Sequence, residues 1–324
     1  MTCSVPSASF TDLAGLWQAF VEQSNRGSIF VTPRWQAVWW QQFGAGSELC
    51  LLPVGSELSP LGFAPLMRSG DALSFIGDTD LFDYHDFILG PGAPEDFYDA
   101  LAECLLNERW SSLTLTSVVE GSPTLDLLPG RLRDMGCEVE VAVEDVVPGL
   151  DLPATWDDYL AGLRKKDRHE LRRKLRRLDS FGSYRLVEAS VESLEQDVSL
   201  LLDLMRESME EKRDFMVPER ETFFRRAVAD AQDAGWLRLF FLELEGERVA
   251  AALCFDLAGR RLLYNSGYRL EQRANSVSLL LKALTIQQAI EQGLRYYDFL
   301  RGGEQYKFHL GAHSVDLFRL KAVR

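Results

Sequence analysis

Three apolar runs between residues 236 and 268 constrain this chain more than any other feature. They are Trp236–Leu244, Arg248–Phe255 and Arg261–Tyr268, the second following Glu245-Gly246-Glu247 and the third following Ala258-Gly259-Arg260. Runs of that length between glycine-bearing turns predict a three-stranded meander. A helix over Ser276–Gln292, ended by Gly293, then leads into a short apolar strand at Tyr296–Leu300. A strand reached through a helical crossover lies parallel to its neighbour, which makes the sheet mixed and the fold α/β. A brief helix at Glu304–Leu310 and a last strand at Val315–Leu320 complete this half.

The meander is preceded by a strand at Ser183–Ala189 and by helices at Val191–Asp214 and Pro218–Ala234. The first half repeats the order. Helices at Thr11–Gln23 and Pro33–Phe43 lead to strands at Leu49–Val54, Leu61–Met67 and Ala72–Ile76. A helix from Pro94, a strand at Leu113–Val118, a helix from Ser122-Pro123 and a strand at Cys137–Val143 follow. No residue-level repeat accompanies the shared order. The stretch Val146–Thr155, with two prolines and a glycine, reads as a linker, which gives domains at 1–150 and 151–324.

A net charge of -14 argues against a general nucleic-acid binder, since neutralising phosphate needs an excess of Lys and Arg. One segment departs from that average. Leu160 to Leu178 carries nine basic residues (Arg164, Lys165, Lys166, Arg168, Arg172, Arg173, Lys174, Arg176 and Arg177) against Asp167 and Glu170. With +7 there, the remainder stands at -14 − 7 = -21. Leu160, Leu163, Leu171, Leu175 and Leu178 add an apolar stripe, so the segment reads as a basic amphipathic helix. Such a helix suits CoA phosphates, an acidic carrier protein, tRNA or an anionic membrane surface, or simply docks on the acidic body. Five scattered cysteines without a Cys-x-x-Cys pair point to a reducing compartment. Met1–Phe10 lacks a signal-peptide pattern and no run is long enough to cross a bilayer, so the expected location is cytoplasmic, with the basic helix a candidate contact for the inner face of the membrane. No spacing among His85, His169, His309 and His313 suggests a metal site.

Several stretches carry a family resemblance. Thr32-Pro33-Arg34-Trp35 with Trp39-Trp40-Gln41-Gln42-Phe43-Gly44, and Gly77-Asp78 with Asp83-Tyr84-His85-Asp86-Phe87, resemble motifs of the CelD-like, cellulose-biosynthesis-associated subgroup of GNAT acyltransferases. The C-terminal run Gly293-Leu294-Arg295-Tyr296-Tyr297-Asp298-Phe299, then Arg301-Gly302-Gly303-Glu304-Gln305-Tyr306-Lys307-Phe308, resembles that subgroup's Gly-x-x-x-x-Asp-Phe-x-x-Gly and Tyr-Lys signature. More distantly the chain is similar to the Fem-type peptidoglycan aminoacyltransferases, which carry tandem GNAT domains. The resemblance implies two such domains, with a degenerate acceptor-side first half and a catalytic, donor-side second half. One departure stands out. The usual pyrophosphate loop, Arg/Gln-x-x-Gly-x-Gly/Ala, is replaced by Glu271-Gln272-Arg273-Ala274-Asn275-Ser276, without the glycines that let backbone amides approach phosphate.

The candidate catalytic residues are Asp298, Tyr306 and Lys307. Tyr306 would be the proton donor and Lys307 a stabiliser of oxyanion or phosphate; packing and solvation are the plainer roles. Asp298, set among apolar residues, would have a raised pKa and take the amine's proton, or else would hold a glycine amide. Tyr268, Arg273, Asn275 and Ser276 are the donor-binding candidates, the last two opening a helix whose free amides attract anions or which they cap. Asp83, Tyr84, His85 and Asp86 are the acceptor candidates, with a self-satisfied turn network as the alternative. The leading expectation is N-acylation of a small or lipid-like amine by an acyl thioester, with acyl-CoA as co-substrate, no tightly bound cofactor and no metal. Aminoacyl transfer from aminoacyl-tRNA, the Fem-type activity, is the first alternative. A non-catalytic scaffold in polysaccharide or lipid assembly is the second.

Overall fold

The computed structural model describes residues 9–24, 27–56, 59–180 and 182–324. Cys3 and most of the Met1–Phe10 segment lie outside them. The four other cysteines are free and buried. Two compact units form: residues up to Val146 together with Val315–Arg324, and Val147–Ser314.

In the first unit, helices α1 (Phe10–Gln23) and α2 (Pro33–Phe43) precede strands β1 (Glu48–Ser56), β2 (Ser59–Ser69), β3 (Ala72–Phe75) and β4 (Ile88–Leu89). Helix α3 (Pro94–Asn107), β5 (Ser112–Val119), α4 (Pro123–Asp134) and β6 (Glu138–Val146) follow. Side chains cap α2 and α4 at their starts: Thr32 accepts from the Trp35 N–H, and Ser122 accepts from that of Thr124. Proline occupies the first turn of α2, α3 and α4, where no backbone donor is missed.

The second unit opens with β7 (Gly149–Asp151), so part of the expected linker is strand. Helices α5 (Trp156–Gly162) and α6 (Lys165–Asp179) lead to β8 (Tyr184–Glu188). The single basic helix expected over this region is broken by extended backbone at Leu163 and Arg164. The expected long helix after β8 is also two, α7 (Leu194–Ser208) and α8 (Glu210–Phe215), parted by an extended Met209 at φ -154° and ψ 142°. Next come α9 (Pro218–Asp233), the meander β9 (Leu237–Leu244), β10 (Glu247–Leu257) and β11 (Arg260–Tyr268), then α10 (Val277–Glu291), β12 (Tyr296–Asp298) and α11 (Gln305–His309). Both hairpin turns have positive φ at their two central residues, Glu245 and Gly246 (50° and 89°) and Ala258 and Gly259 (51° and 76°). That is type I′ geometry, whose twist matches the strands it joins.

The second sheet runs β7-β12-β11-β10-β9-β8, with β11 and β12 parallel and the other pairs antiparallel. Phe240, Leu242, Ala250, Ala252 and Cys254 pack in one cluster with α10 residues Leu280, Ala283 and Ile286. Strand alternation turns the equally buried Leu239, Phe241, Ala251 and Leu253 to the other face. At Gly267 the backbone of α7 comes so close that a Cβ would lie 2.3 Å from the Met205 nitrogen. No residue other than glycine lets α7 settle there.

The last strand, β13 (Asp316–Val323), departs from expectation. It does not complete the second half but lies between β5 and β6 in the first sheet, whose order is β1-β2-β3-β5-β13-β6 with β4 on β2. Each unit therefore has the same plan, a meander, a parallel crossover strand and an antiparallel strand beyond it. The strand beyond is β13 next to β5 and β7 next to β12. Alternation in the sequence marks β13 as a strand and says nothing of its partner, which is a tertiary choice.

Candidate active site

Strands β11 and β12 pair over only three residues, Arg260–Leu262 against Tyr296–Asp298. Beyond Leu262 the two diverge. On its other edge β11 carries a bulge, because Cys254 faces Leu263 while Leu253 faces Asn265, leaving Tyr264 as the extra residue. A bulge twists the strand and re-aims the backbone groups that follow it. An opened parallel pair with a bulged edge leaves backbone donors for a ligand at the carboxyl end of the sheet.

The segment after β12 is held open by two signature residues. Asp298 is 1% exposed, pairs with Arg260 at 3.0 Å and accepts the Leu300 N–H at 2.9 Å. Leu300 has a left-handed φ of 58°, uncommon for a branched residue, and the bond from its N–H to Asp298 pins it there. Lys307, 2% exposed, donates to the carbonyls of Leu300, Arg301 and Gly302 at 3.0, 2.7 and 2.9 Å and meets Glu304 at 2.9 Å. Its three ammonium hydrogens are thereby spoken for. Tyr306 packs its ring edge-on to Phe299. Burial, then Glu304, pushes its phenol far above the usual tyrosine range.

Two lysines that the sequence reading passed over complete this region. Lys282 of α10 is 5% exposed and donates to Ser278 Oγ at 2.7 Å; its Nζ lies 4.8 Å from the centre of the Tyr306 ring. Burial first, then the charges of Lys212 and Lys307, lower its pKa to about 7. Lys212 of α8 donates to Asn265 Oδ1 at 2.9 Å and to the Ser266 carbonyl. Burial brings it down to about 8, opposed by Glu304. A lone lysine inside the apolar run Leu279–Leu284 was a visible signal for Lys282. Lys212 had none, because Glu210-Glu211-Lys212-Arg213-Asp214 reads as a solvated charge run.

The donor candidates meet the basic helix. Ser276 precedes α10 in left-handed backbone at φ 58°, and no side chain caps the helix. The expected capping by Asn275 or Ser276 is thus absent: Ser276 Oγ accepts from Lys174 at 2.5 Å, and Asn275 Oδ1 accepts from Arg177 at 2.9 Å. The first α10 amides are left for another acceptor, with two cations beside them. Arg273 is exposed and Tyr268 is half-buried against the core. A concavity next to Asn275 is rimmed by Glu245 and Glu247, so phosphate is favoured on the α6 side instead. Along α6 and the residue before it, Arg164, Lys165, Lys166, Arg172, Arg173, Arg176 and Arg177 are exposed.

The acceptor candidates, in the first unit, do not converge on one point. His85 is 3% exposed and stacked between Phe75 and Phe82, with centroids 5.6 and 4.8 Å away. Asp86 accepts from the hydroxyls of Ser122, at 2.6 Å, and Thr124, and so braces the start of α4. Asp83 and Tyr84 are half-buried, Tyr84 near the Phe30 ring. Among the described residues no group of three or more His, Cys, Asp or Glu side chains is placed to hold a metal ion. No described helix is long and apolar enough to cross a membrane.

Comparison with known proteins places this arrangement. The family described as Acetyltransferase (GNAT) domain matches residues 165–308, from α6 to α11. No curated protein matches the chain in sequence. Among solved structures the chain is similar to FemX, at 13% identity, a TM-score of 0.66 and 94% coverage of each chain. It is also similar to the C-terminal domain of a protein described as a lysylphosphatidylglycerol synthetase from Agrobacterium fabrum (12% identity, TM-score 0.60, 97% of this chain and 92% of that one). A tandem GNAT protein from the clavulanic acid biosynthesis pathway matches at 14% identity and a TM-score of 0.52, over 97% and 96%. At such identities the likeness speaks for the fold alone, a mixed α/β fold in which residues 165–308 match a GNAT domain and the whole length follows a tandem GNAT protein.

Proposed function

We propose that the chain is an N-acyltransferase whose second unit, 147–314, holds an activated acyl donor and performs the transfer, while the first serves the amine acceptor. The observation that carries this is the uncapped N-terminus of α10, flanked by Lys174 and Arg177, in the same unit as the opened β11–β12 pair. The donor's pyrophosphate rests on the α10 amides, and its acyl carbonyl enters the gap. Acyl-CoA fits that description. The amine nitrogen attacks the carbonyl, a C–N bond forms, the bond to the leaving sulfur breaks, and the nitrogen's proton ends on the thiol. Backbone N–H groups on the free edge of β11 donate hydrogen bonds to the developing oxyanion.

Tyr306 keeps its proton at every working pH, so its role is to donate a hydrogen bond to developing charge rather than to surrender a proton outright. Asp298 and Lys307 act by holding the 298–307 turn. The CelD-like subgroup fits this division, since the signature residues are those that build the turn.

A second reading, transfer from aminoacyl-tRNA, is favoured by the exposed cations of α6, more than a single pyrophosphate uses. A thermal-shift titration with CoA, acetyl-CoA and a long-chain acyl-CoA separates the two. A CoA ligand at ~100 times its Kd adds roughly 2.7 kcal/mol of apparent stability. A shift growing with acyl length points to a lipid-like substrate. Silence with all three, together with salt-sensitive retention of tRNA, overturns the CoA reading.

A further inference from the structure

Lys212, Lys282 and Lys307 come from three different helices and gather at the β11–β12 gap: Lys212 bonds Asn265 and Ser266 of β11 beyond the paired residues, and Lys282 lies 4.8 Å from the ring of Tyr306, the neighbour of Lys307. One carboxylate, Glu304, answers them, and it sits against Lys307 with a side chain 57% exposed. Lys307 is saturated by three carbonyls and that carboxylate. Lys212 and Lys282 are not. Each ammonium has three hydrogens. Lys212 uses two, on Asn265 and Ser266, and Lys282 uses two on Ser278, at 2.7 Å to the hydroxyl and a long 3.5 Å to the carbonyl. Neither meets a carboxylate within ion-pair distance among the described residues. A buried ammonium like that of Lys282, with a hydrogen to spare and no counter-ion, is costly to keep; half-buried Lys212 adds a second such cation, and a ligand anion is what would relieve them.

We propose that Lys212 and Lys282 form a site for a carboxylate carried by the substrate, so that one partner in the acyl transfer is also an acid. This rests on the reading of the gap as an acyl-transfer centre. The surroundings favour a singly charged, two-oxygen anion. The two ammoniums belong to different helices, α8 and α10, and the ring of Tyr306 covers one direction of Lys282. The other titratable groups around Lys282 are Cys254 on β10, pushed up to about 12 by burial, Tyr297 on β12, likewise raised, and Glu304 before α11. None takes the ligand's place as an anion near neutral pH except Glu304, which Lys307 holds. With both lysines titrating near neutrality, arrival of the carboxylate draws protons onto them, and binding takes up protons from solution.

Two sources supply such a carboxylate, the far end of a dicarboxylic acyl group or an amino-acid acceptor. Selective ¹³C labelling at lysine Cε reads the site directly, because the chain has only seven lysines. Two resonances should titrate well below the others, one lost in K212M and one in K282M. Succinyl-CoA raising both by about one unit or more, where butyryl-CoA does not, places the carboxylate on the acyl group. β-Alanine doing so, where propylamine does not, places it on the acceptor. In either case Lys282→Arg keeps a preference of about tenfold for the carboxylate probe, and Lys282→Met loses it. Ordinary titration of all seven lysines overturns the proposal, as does an equal response to carboxylate and neutral probes. Butyryl-CoA stabilising a protein whose lysines ignore carboxylates leaves the donor reading standing and removes only this one. Lysines that answer β-alanine in a protein indifferent to every CoA remove only the donor reading.

Discussion

The ammonium of Lys282, almost fully removed from water, lies 4.8 Å from the centre of the half-buried Tyr306 ring. A cation over a ring face is favourable, yet here the cost of burying the charge outweighs it and the amine titrates near 7.

That balance has a signed consequence for stability. Lys282 binds its proton less readily when folded, at about 7, than at the ordinary 10.5 of an exposed lysine. Between those values the unfolded chain holds more protons, so stability rises with pH from about 7 and is lowest below it. Lys282→Met should flatten that rise and stabilise the protein at pH 6, on the order of 3 kcal/mol. Lys212 adds a smaller total rise, over a shorter window starting near 8. Urea unfolding of both proteins at pH 6 and pH 9 checks it, and equal slopes count against the assignment.

Arg261 is fully buried, forked onto Asp256 at 2.8 and 2.7 Å, and donates to the Thr285 carbonyl at 3.0 Å, tying β11 to α10. Arg261→Met leaves Asp256, 10% exposed at its side chain, without its main partner. The expected loss is about 3–5 kcal/mol, visible as a lower denaturant midpoint. An unchanged midpoint would mean that Arg238, 3.2 Å from the same carboxylate, compensates.

Gly267→Ala tests the closeness of α7. The added methyl would meet backbone atoms of Met205 and Leu204 at 2.3 and 2.4 Å, so helix and strand must part. A loss of about 1–3 kcal/mol is expected, with a lower Tm. Because α8 follows α7, Lys212 should also lose its hold on Asn265, and its ¹³Cε signal should return toward the ordinary lysine value.

The pair K174A/R177A should weaken CoA binding about tenfold or more and reduce its salt dependence, measured by calorimetry at two ionic strengths. Ser276→Gly relieves the left-handed strain at the same turn and should gain up to about 1 kcal/mol in stability, with CoA affinity held or improved. Stabilisation with complete loss of CoA binding would mean that the Ser276 hydroxyl, not the amides, receives the donor.

What was legible in the sequence was local. Glu245-Gly246 and Ala258-Gly259 announced their turns because few residues accept positive φ, and Thr32-Pro33 announced a helix start because its chemistry is contained in two residues. The helical crossover from β11 to β12 followed from spacing. The failures were places where distant segments decide. Ser276 reads as a cap, but its left-handed backbone turns the hydroxyl to Lys174, 102 positions away. Asp298 reads as a base in an apolar strand, and Arg260 from β11 claims it. Met209 offers no helix-breaking chemistry, yet it ends α7 and so sends Lys212 back to β11.

The placement of β13 reaches beyond the finished fold to the order of synthesis. The second unit, 147–314, is one unbroken stretch, whereas the first needs residues 315–324 to fill the space between β5 and β6. On the ribosome the first half emerges earliest and is completed last, its β5 and β6 edges unpaired while some 170 residues pass, on the order of ten seconds or more at ordinary elongation rates. Exposed strand edges of that duration invite chaperones or wrong partners. A nascent chain stalled just short of β13 should therefore carry a native second unit and an open, protease-sensitive first one.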